Sequence, residues 1–168
     1  MNWLDLNGPI VADTVYYDGA LSAKDVSLSL PAVTPTTYDY KAMGTMSLPM
    51  LGQYEDMEAT ITKIGVDLGL SRMIAPKSGT LEVRWVQDTL DATGAVKRQG
   101  CKAFLRAVPK GLPSLGLEPG SAPENELAFA VTRYQLFVGG EEFLLIDRLA
   151  QIVRIMGVDY YTDIASLL

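Results

Sequence analysis

Residues 133–159 read RYQLFVGGEEFLLIDRLAQIVRIMGVD. A strand-like run reaches Gly139-Gly140, and a second run from Phe143 returns to Ile146-Asp147. Two glycines in that setting predict a two-residue β-hairpin loop, because both loop positions take positive φ. Upstream, residues 127–138 form the longest candidate strand and carry apolar residues on both faces, the pattern of a strand covered from two sides. Downstream, residues 149–156 fit helix or strand, and the phasing of Ile152, Arg154 and Met156 favours strand. Residues 159–168 predict a short helical tail with Tyr160, Ile164 and Leu167 on one side.

The N-terminal part reads the same way. Asp18-Gly19 is a turn signal between candidate strands 13–17 and 24–30. In the second of these, Val26, Leu28 and Leu30 alternate with Asp25, Ser27 and Ser29. Pro31 and Pro35 then halt regular pairing. Residues 34–58 are expected to be a long irregular loop, rich in Tyr38, Tyr40, Met43, Met46, Met50, Tyr54 and Met57. Disordered segments lack aromatics, so this one should pack, either over its own core or against a neighbouring subunit. Adaptable Met and amphipathic Tyr suit such an interface.

Residues 57–64 form a further candidate strand. Asp67 is placed to cap a short helix over 68–75, with Leu70, Met73 and Ile74 on one face and Pro76 as its stop. Residues 80–87 alternate cleanly, with Leu81, Val83 and Trp85 inward and Glu82 and Arg84 outward. The DATG turn at 91–94 leads into a long strand over 96–108, where Gly100 suggests a bulge. Residues 111–126, GLPSLGLEPGSAPENE, predict a surface loop. The sum is seven or eight strands, one internal helix and one tail helix. That is a mainly β fold in one domain over 1–168, an antiparallel β-sandwich or barrel with a flanking α-helix.

Composition removes most chemistries. The chain of 168 residues has no histidine, the usual general base near neutral pH and the commonest zinc ligand. Its one cysteine, Cys101, permits no intrachain disulfide and reads as a small buried hydrophobe in a strand. Glu141 and Glu142 are strand neighbours and point to opposite faces; Glu55, Asp56 and Glu58 lie in the loop of unknown path. Asp67-x-Gly69 and Glu118-Pro119-Gly120 lack the acid density of a calcium loop, and GLPSLGLEPG at 111–120 lacks the Lys-Ser/Thr of a phosphate loop. No catalytic, metal or cofactor site is expected. The net charge of −6 opposes tight binding to a nucleic acid backbone. Lys97, Arg98, Lys102 and Arg106 form the one basic cluster, expected as a solvated face or as partners for acids of another subunit. MNWLDLNGPI has no basic start or long apolar run, so neither a signal peptide nor a membrane anchor is expected.

Several stretches together carry a resemblance: Asp18-Gly19, then SLSLP at 27–31, YDYKAMG at 38–44, YQLFVGGEEF at 134–143, Ile146-Asp147 and Gly157-Val158-Asp159. In this order the chain resembles the major tail tube proteins of contractile-tailed phages and of the phage-tail-like R-type bacteriocins. Residues 80–98 match in pattern only. The resemblance implies a β-sandwich whose strands extend into a ring-wide inner barrel. It implies hexameric rings stacked into a tube inside a contractile sheath, with baseplate and terminator proteins at the ends. The tube would hold a tape measure protein or DNA without gripping it, and acidic residues facing the bore would repel passing DNA. It places the protein in a virion tail or tail-like particle, made in the bacterial cytoplasm. Within that frame the contact between neighbours is expected at Tyr38, Tyr40, Met43, Met46, Met50, Tyr54 and Met57. The tube wall is expected on strands carrying Lys102, Phe104, Arg106, Phe129, Val131 and Arg133. Rival readings are a type VI secretion-like tube protein, another virion β-sandwich such as a tail terminator, and a monomeric β-sandwich binding module, for instance one that binds carbohydrate. The last would use exposed aromatics, for which Trp3 and Trp85 are the available tryptophans.

Overall fold

Antiparallel pairing organises most of residues 5–168, the part of the chain that this computed structural model describes. Strand β1 (Leu6–Tyr17) turns through Asp18-Gly19 into β2 (Ala20–Lys24), followed by β3 (Ser27–Ser29). Strands β4 (Pro35–Lys41) and β5 (Thr45–Tyr54) come next, then β6 (Glu58–Ile64) and helix α1 (Leu68–Arg72). Three long strands follow, β7 (Gly79–Leu90), β8 (Val96–Pro109) and β9 (Glu124–Val138). The chain ends with β10 (Glu141–Asp147), β11 (Ile152–Ile155), β12 (Val158–Asp159) and helix α2 (Thr162–Ala165). Trp3 lies outside the described residues.

The main sheet has ten strands. Eight run in the order β12-β11-β10-β9-β8-β7-β1-β2, and β6 joins β9 from the side while carrying β3. Strand β9 therefore serves three neighbours. It pairs with β8 along 129–138, and its other edge takes β6 along 124–130 and then β10 along 133–138. The fold is mainly β and antiparallel, as the alternation predicts, without a closed barrel. The sheet curls so that β1, β2, β6–β11 and α1 all contribute to one core. Val15, Ile61, Leu81, Leu105, Phe129 and Ile146 are its fully buried centre, with the Tyr17 and Phe129 rings 6.4 Å apart. Burial pushes the Tyr134 hydroxyl up to about 12.

Four expectations are corrected. Residues 24–30 are two strands rather than one. Asp25 takes a left-handed φ of 50°, and its kink is fixed by Val26 N donating to Asp13 Oδ1 at 3.0 Å. As a result β2 pairs with β1, while β3 pairs with β6. Residues 34–58 are not an irregular loop but mostly a separate two-stranded hairpin, β4–β5. The β7–β8 register runs evenly through Gly100; the irregularity lies where β8 meets β9, between Arg106 and Ala107. There Thr132 is the extra residue, so inward-facing Val131 is followed by inward-facing Tyr134. Finally, the helical tail is one short turn, α2, because residues 158–159 pair with β11 instead.

Helix α1 closes the end of the core near β2. Asp67 caps it as its position predicts, accepting from Leu70 N at 3.0 Å, and Leu70 and Met73 are buried. The buried Lys63 reaches from β6 to Ser22 O at 2.6 Å and to Asp67 Oδ1 at 2.7 Å, tying β6, β2 and α1 together. The hydrogen bond from Lys63 holds the Asp67 carboxyl below its ordinary 3.8. Because the folded-state value is depressed, this contribution is present above pH 3.8 and lost as pH falls through the lower folded value. Asp67→Ala is expected to cost about 1–2 kcal/mol at neutral pH from the lost cap, lowering Tm by several degrees. The loss should shrink in acid, as thermal unfolding at pH 7 and pH 3 would show; equal losses at both values would refute the assignment.

Candidate assembly interface

The hairpin β4–β5 hydrogen-bonds to no other strand. Its register places Tyr38 opposite Leu48 and Tyr40 opposite Met46, so these four side chains share one face. The other face carries Thr37, Asp39, Lys41, Thr45 and Ser47. All four apolar side chains are exposed, and the Tyr38 and Tyr40 rings meet edge-on with centroids 5.0 Å apart. Met43 sits fully exposed at the tip, in a left-handed conformation with φ 51°. A two-stranded hairpin is marginal by itself in water, so its direction is set at its base. There Arg148 donates to Tyr54 O at 3.2 Å and pairs with Asp56 at 3.6 Å. Gly52 lies against Tyr161 and Ile164 of the C-terminal tail.

The seven residues expected at a subunit contact therefore divide. Tyr38, Tyr40, Met43 and Met46 are exposed on the hairpin. Met50 and Tyr54 are half-buried toward its base, and Tyr54 packs against the core. Met57 is only 3% exposed and belongs to the core, because it begins the inward alternation Met57, Ala59, Ile61 that leads through β6. Leu48 and Leu51 are exposed apolar residues that the sequence reading missed. The alternation of Tyr38 with Tyr40 and of Met46 with Leu48 was the signal for them.

A second unpartnered feature is the edge of β1. Only residues 14–17 pair with β2, so residues 6–13 have β7 on one side and, among the described residues, no strand on the other. Leu6, Ile10 and Val11 are exposed there. An uncovered apolar edge of this length invites pairing with another chain.

The expected wall residues also divide by face. Phe129 and Val131 point into the core and are 0% and 4% exposed. Lys102, Phe104 and Arg106 alternate with buried Cys101, Ala103, Leu105 and Ala107, and so stand on the opposite, outer face of the sheet. Arg133, after the Thr132 bulge, joins them there opposite Arg106. The acids of this outer face are largely neutralised. Asp88 lies 3.5 Å from Arg98 and Asp147 3.7 Å from Arg133. Glu82 pairs with Arg84 and Glu142 with Arg154, both at 2.5 Å. The Arg154 hydrogen bond holds the Glu142 carboxyl below its ordinary value. Lys102 and Arg106 have no ion-pair partner among the described residues. Between them Phe104 meets Phe137 edge-on at 5.9 Å. These rings, with Val86 and Arg84, line a trough of about 550 Å³. Cys101 is buried beneath it, and burial pushes its thiol up. Among the described residues no cluster of His, Cys, Asp and Glu is arranged to hold a metal ion.

A curled sheet with an open strand edge and an exposed amphipathic hairpin is a subunit built to associate: a structural protein of an assembly. The chain belongs to the phage tail tube protein FII family, whose model matches residues 10–168. It is a structural protein of a phage tail or tail-like particle. The fold is similar to a chain of the PVC sheath-tube complex, an extracellular contractile injection system solved by cryo-EM in its extended state. That likeness has a TM-score of 0.53 at 14% identity and covers 77% of this chain and 90% of the other. It is similar also to a chain of the PVC sheath/tube terminator in the extended state, with a TM-score of 0.52 at 13% identity over 77% and 95%. No curated protein matches in sequence.

Gly52 offers a local test of how the hairpin is aimed. It has φ +92°, and a Cβ there would stand 2.9 Å from Ile164 Cδ1 and 3.0 Å from Tyr161 Cε2. Gly52→Val combines a strained backbone with that clash, an expected cost of about 1–3 kcal/mol. Residues 159–168 should become the first site cut in limited proteolysis. An unchanged digestion pattern and Tm would show that the tail does not brace the hairpin.

Proposed function

We propose that this protein closes into hexameric rings that stack as the inner tube of a contractile tail, acting by assembly and not by catalysis. The observation that carries this reading is the hairpin β4–β5, whose face of Tyr38, Tyr40, Met46 and Leu48 is apolar and left exposed by the described residues. A second copy supplies the cover. The open edge of β1 supports ring closure, since a neighbour's strand there would satisfy its free N–H and C=O groups and continue the sheet. Long strands β1, β7, β8 and β9 are the material for a wall shared between subunits. Contacts that repeat head to tail without closing propagate a filament, so stacked rings give a tube.

The partners of such a tube are a contractile sheath outside, a baseplate and a terminator at its ends, and a tape measure protein or DNA passing through without tight binding. The likeness to chains of a sheath-tube complex and of a sheath/tube terminator supports the sheath and the terminator as partners. The particle is a phage tail or a tail-like device that punctures a membrane.

Negative-stain electron microscopy and light scattering of the purified protein at high concentration test the proposal. The native chain should give rings or hollow tubes, and Tyr40→Asp with Met46→Asp should give soluble, folded subunits that fail to assemble. Tubes of normal appearance from that variant would remove the hairpin from the contact. A native chain that stays monomeric, with or without a preformed end to grow from, would overturn the proposal and leave a binding module as the better reading.

A further inference from the structure

The molecule carries two complementary surfaces, one across the middle of β8 and one on the segment that follows it, and neither has a partner among the described residues. The first is the outer-face trough, lined by Phe104, Phe137 and the unpaired Lys102, and by Asp13, whose carboxylate already accepts from Val26 N; the unpaired Arg106 stands on the same face two residues beyond Phe104. The second is the segment 111–126 that follows β8, a loop as far as Pro123 and the start of β9 from Glu124, where the expected surface loop gives way to strand. Its tip is a turn closed by Ser121 N donating to Glu118 O at 3.1 Å, which presents Leu117, 82% exposed, beside the exposed Glu118. Glu124 and Glu126 are exposed just beyond, and none of these three acids has an ion-pair partner among the described residues. The loop is held at its far end by Gly65 N donating to Pro123 O at 3.0 Å and by Asn125 Nδ2 donating to Gly65 O at 2.8 Å. It is thus tethered toward α1. From Lys102 to the end of the strand at Pro109 is seven residues, about 23 Å of extended chain.

We propose that the segment 111–126 of one copy docks in the outer-face trough of the next, with Leu117 against Phe104 and Phe137 and its acids facing Lys102 and Arg106. This rests on the tube reading above and adds to it a second, charge-matched contact along the stack. Because donor and acceptor are different patches of the same chain, the contact is heterologous, and in a head-to-tail stack it repeats without closing. The trough fits an acidic polypeptide better than a nucleic acid. A nucleic acid needs a continuous basic track, whereas here the surrounding arginines are committed to Glu82, Asp88, Asp147 and Glu142.

Charge reversal tests it in the full chain. Lys102→Glu with Arg106→Glu, or separately Glu118→Lys with Glu124→Lys, should raise the concentration needed for sedimentable tubes roughly tenfold, the scale of two lost rim ion pairs. All four together should restore it. Reversals that leave that concentration unchanged overturn the docking and spare the tube. In parallel, a labelled peptide of residues 111–126 titrated into the native chain at low salt should bind, and should bind roughly tenfold more weakly to Phe104→Ala and to the trough reversal. A peptide indifferent to both variants, or a single-stranded oligonucleotide that occupies the trough where the peptide does not, overturns the inference without any need for tubes. Failure of the native chain to form rings or tubes, by contrast, is failure of the assembly reading itself.

Discussion

Strand β9 must satisfy three neighbours with two edges, and the rest of the architecture follows from how it does so. Its first half lies between β6 and β8, its second between β10 and β8. The single extra residue at Thr132 marks the change from one neighbour to the other. Without it, the alternation that buries Leu127, Phe129 and Val131 would turn Tyr134 and Leu136 outward and leave Ile146 without its cross-strand partner. One inserted residue thus keeps a fifteen-residue strand in phase with two different partners, and lets the sheet curl around a core it could not enclose if flat.

The same arrangement accounts for what remains uncovered. All ten strands of the sheet are occupied with one another, so the apolar residues of β4 and β5, apart from Tyr54 at their base, find no place in the core. They form their own hairpin and turn Tyr38, Tyr40, Met46 and Leu48 to the outside. Likewise β1 extends eight residues beyond the reach of β2. For an isolated molecule these are hazards of aggregation. In the assembly proposed above they are the contact surfaces, and the net charge of −6 makes free subunits repel one another.

Much of this was legible in the sequence because local chemistry decides it. Asp18-Gly19 and Gly139-Gly140 adopt the positive φ values their residue types favour, Asp67 caps its helix, and Leu81 and Val83 alternate into the core. The hairpin at 35–54 was hidden because Pro35 and Pro49 suggest breaks and because its alternation serves a surface absent from the single chain. The split at Asp25 was hidden for another reason. A left-handed aspartate is a modest local preference, and only the competition of β1 and β6 for the same segment makes it decisive. Met57 shows the limit of composition as a guide: its residue type matches the exposed methionines nearby, and only its phase with Ala59 and Ile61 places it in the core.

In the proposed tube, the hairpin's apolar face also gives the contact a thermal character. Covering aromatic and aliphatic surface lowers the heat capacity, and the entropic share of that attraction fades as water cools. The ion pairs of the outer face do not fade in the same way. A contact of this kind grips more firmly in warmth than in cold, so the joints between subunits loosen at the low end of the temperature range while each subunit's own core, larger and fully enclosed, holds.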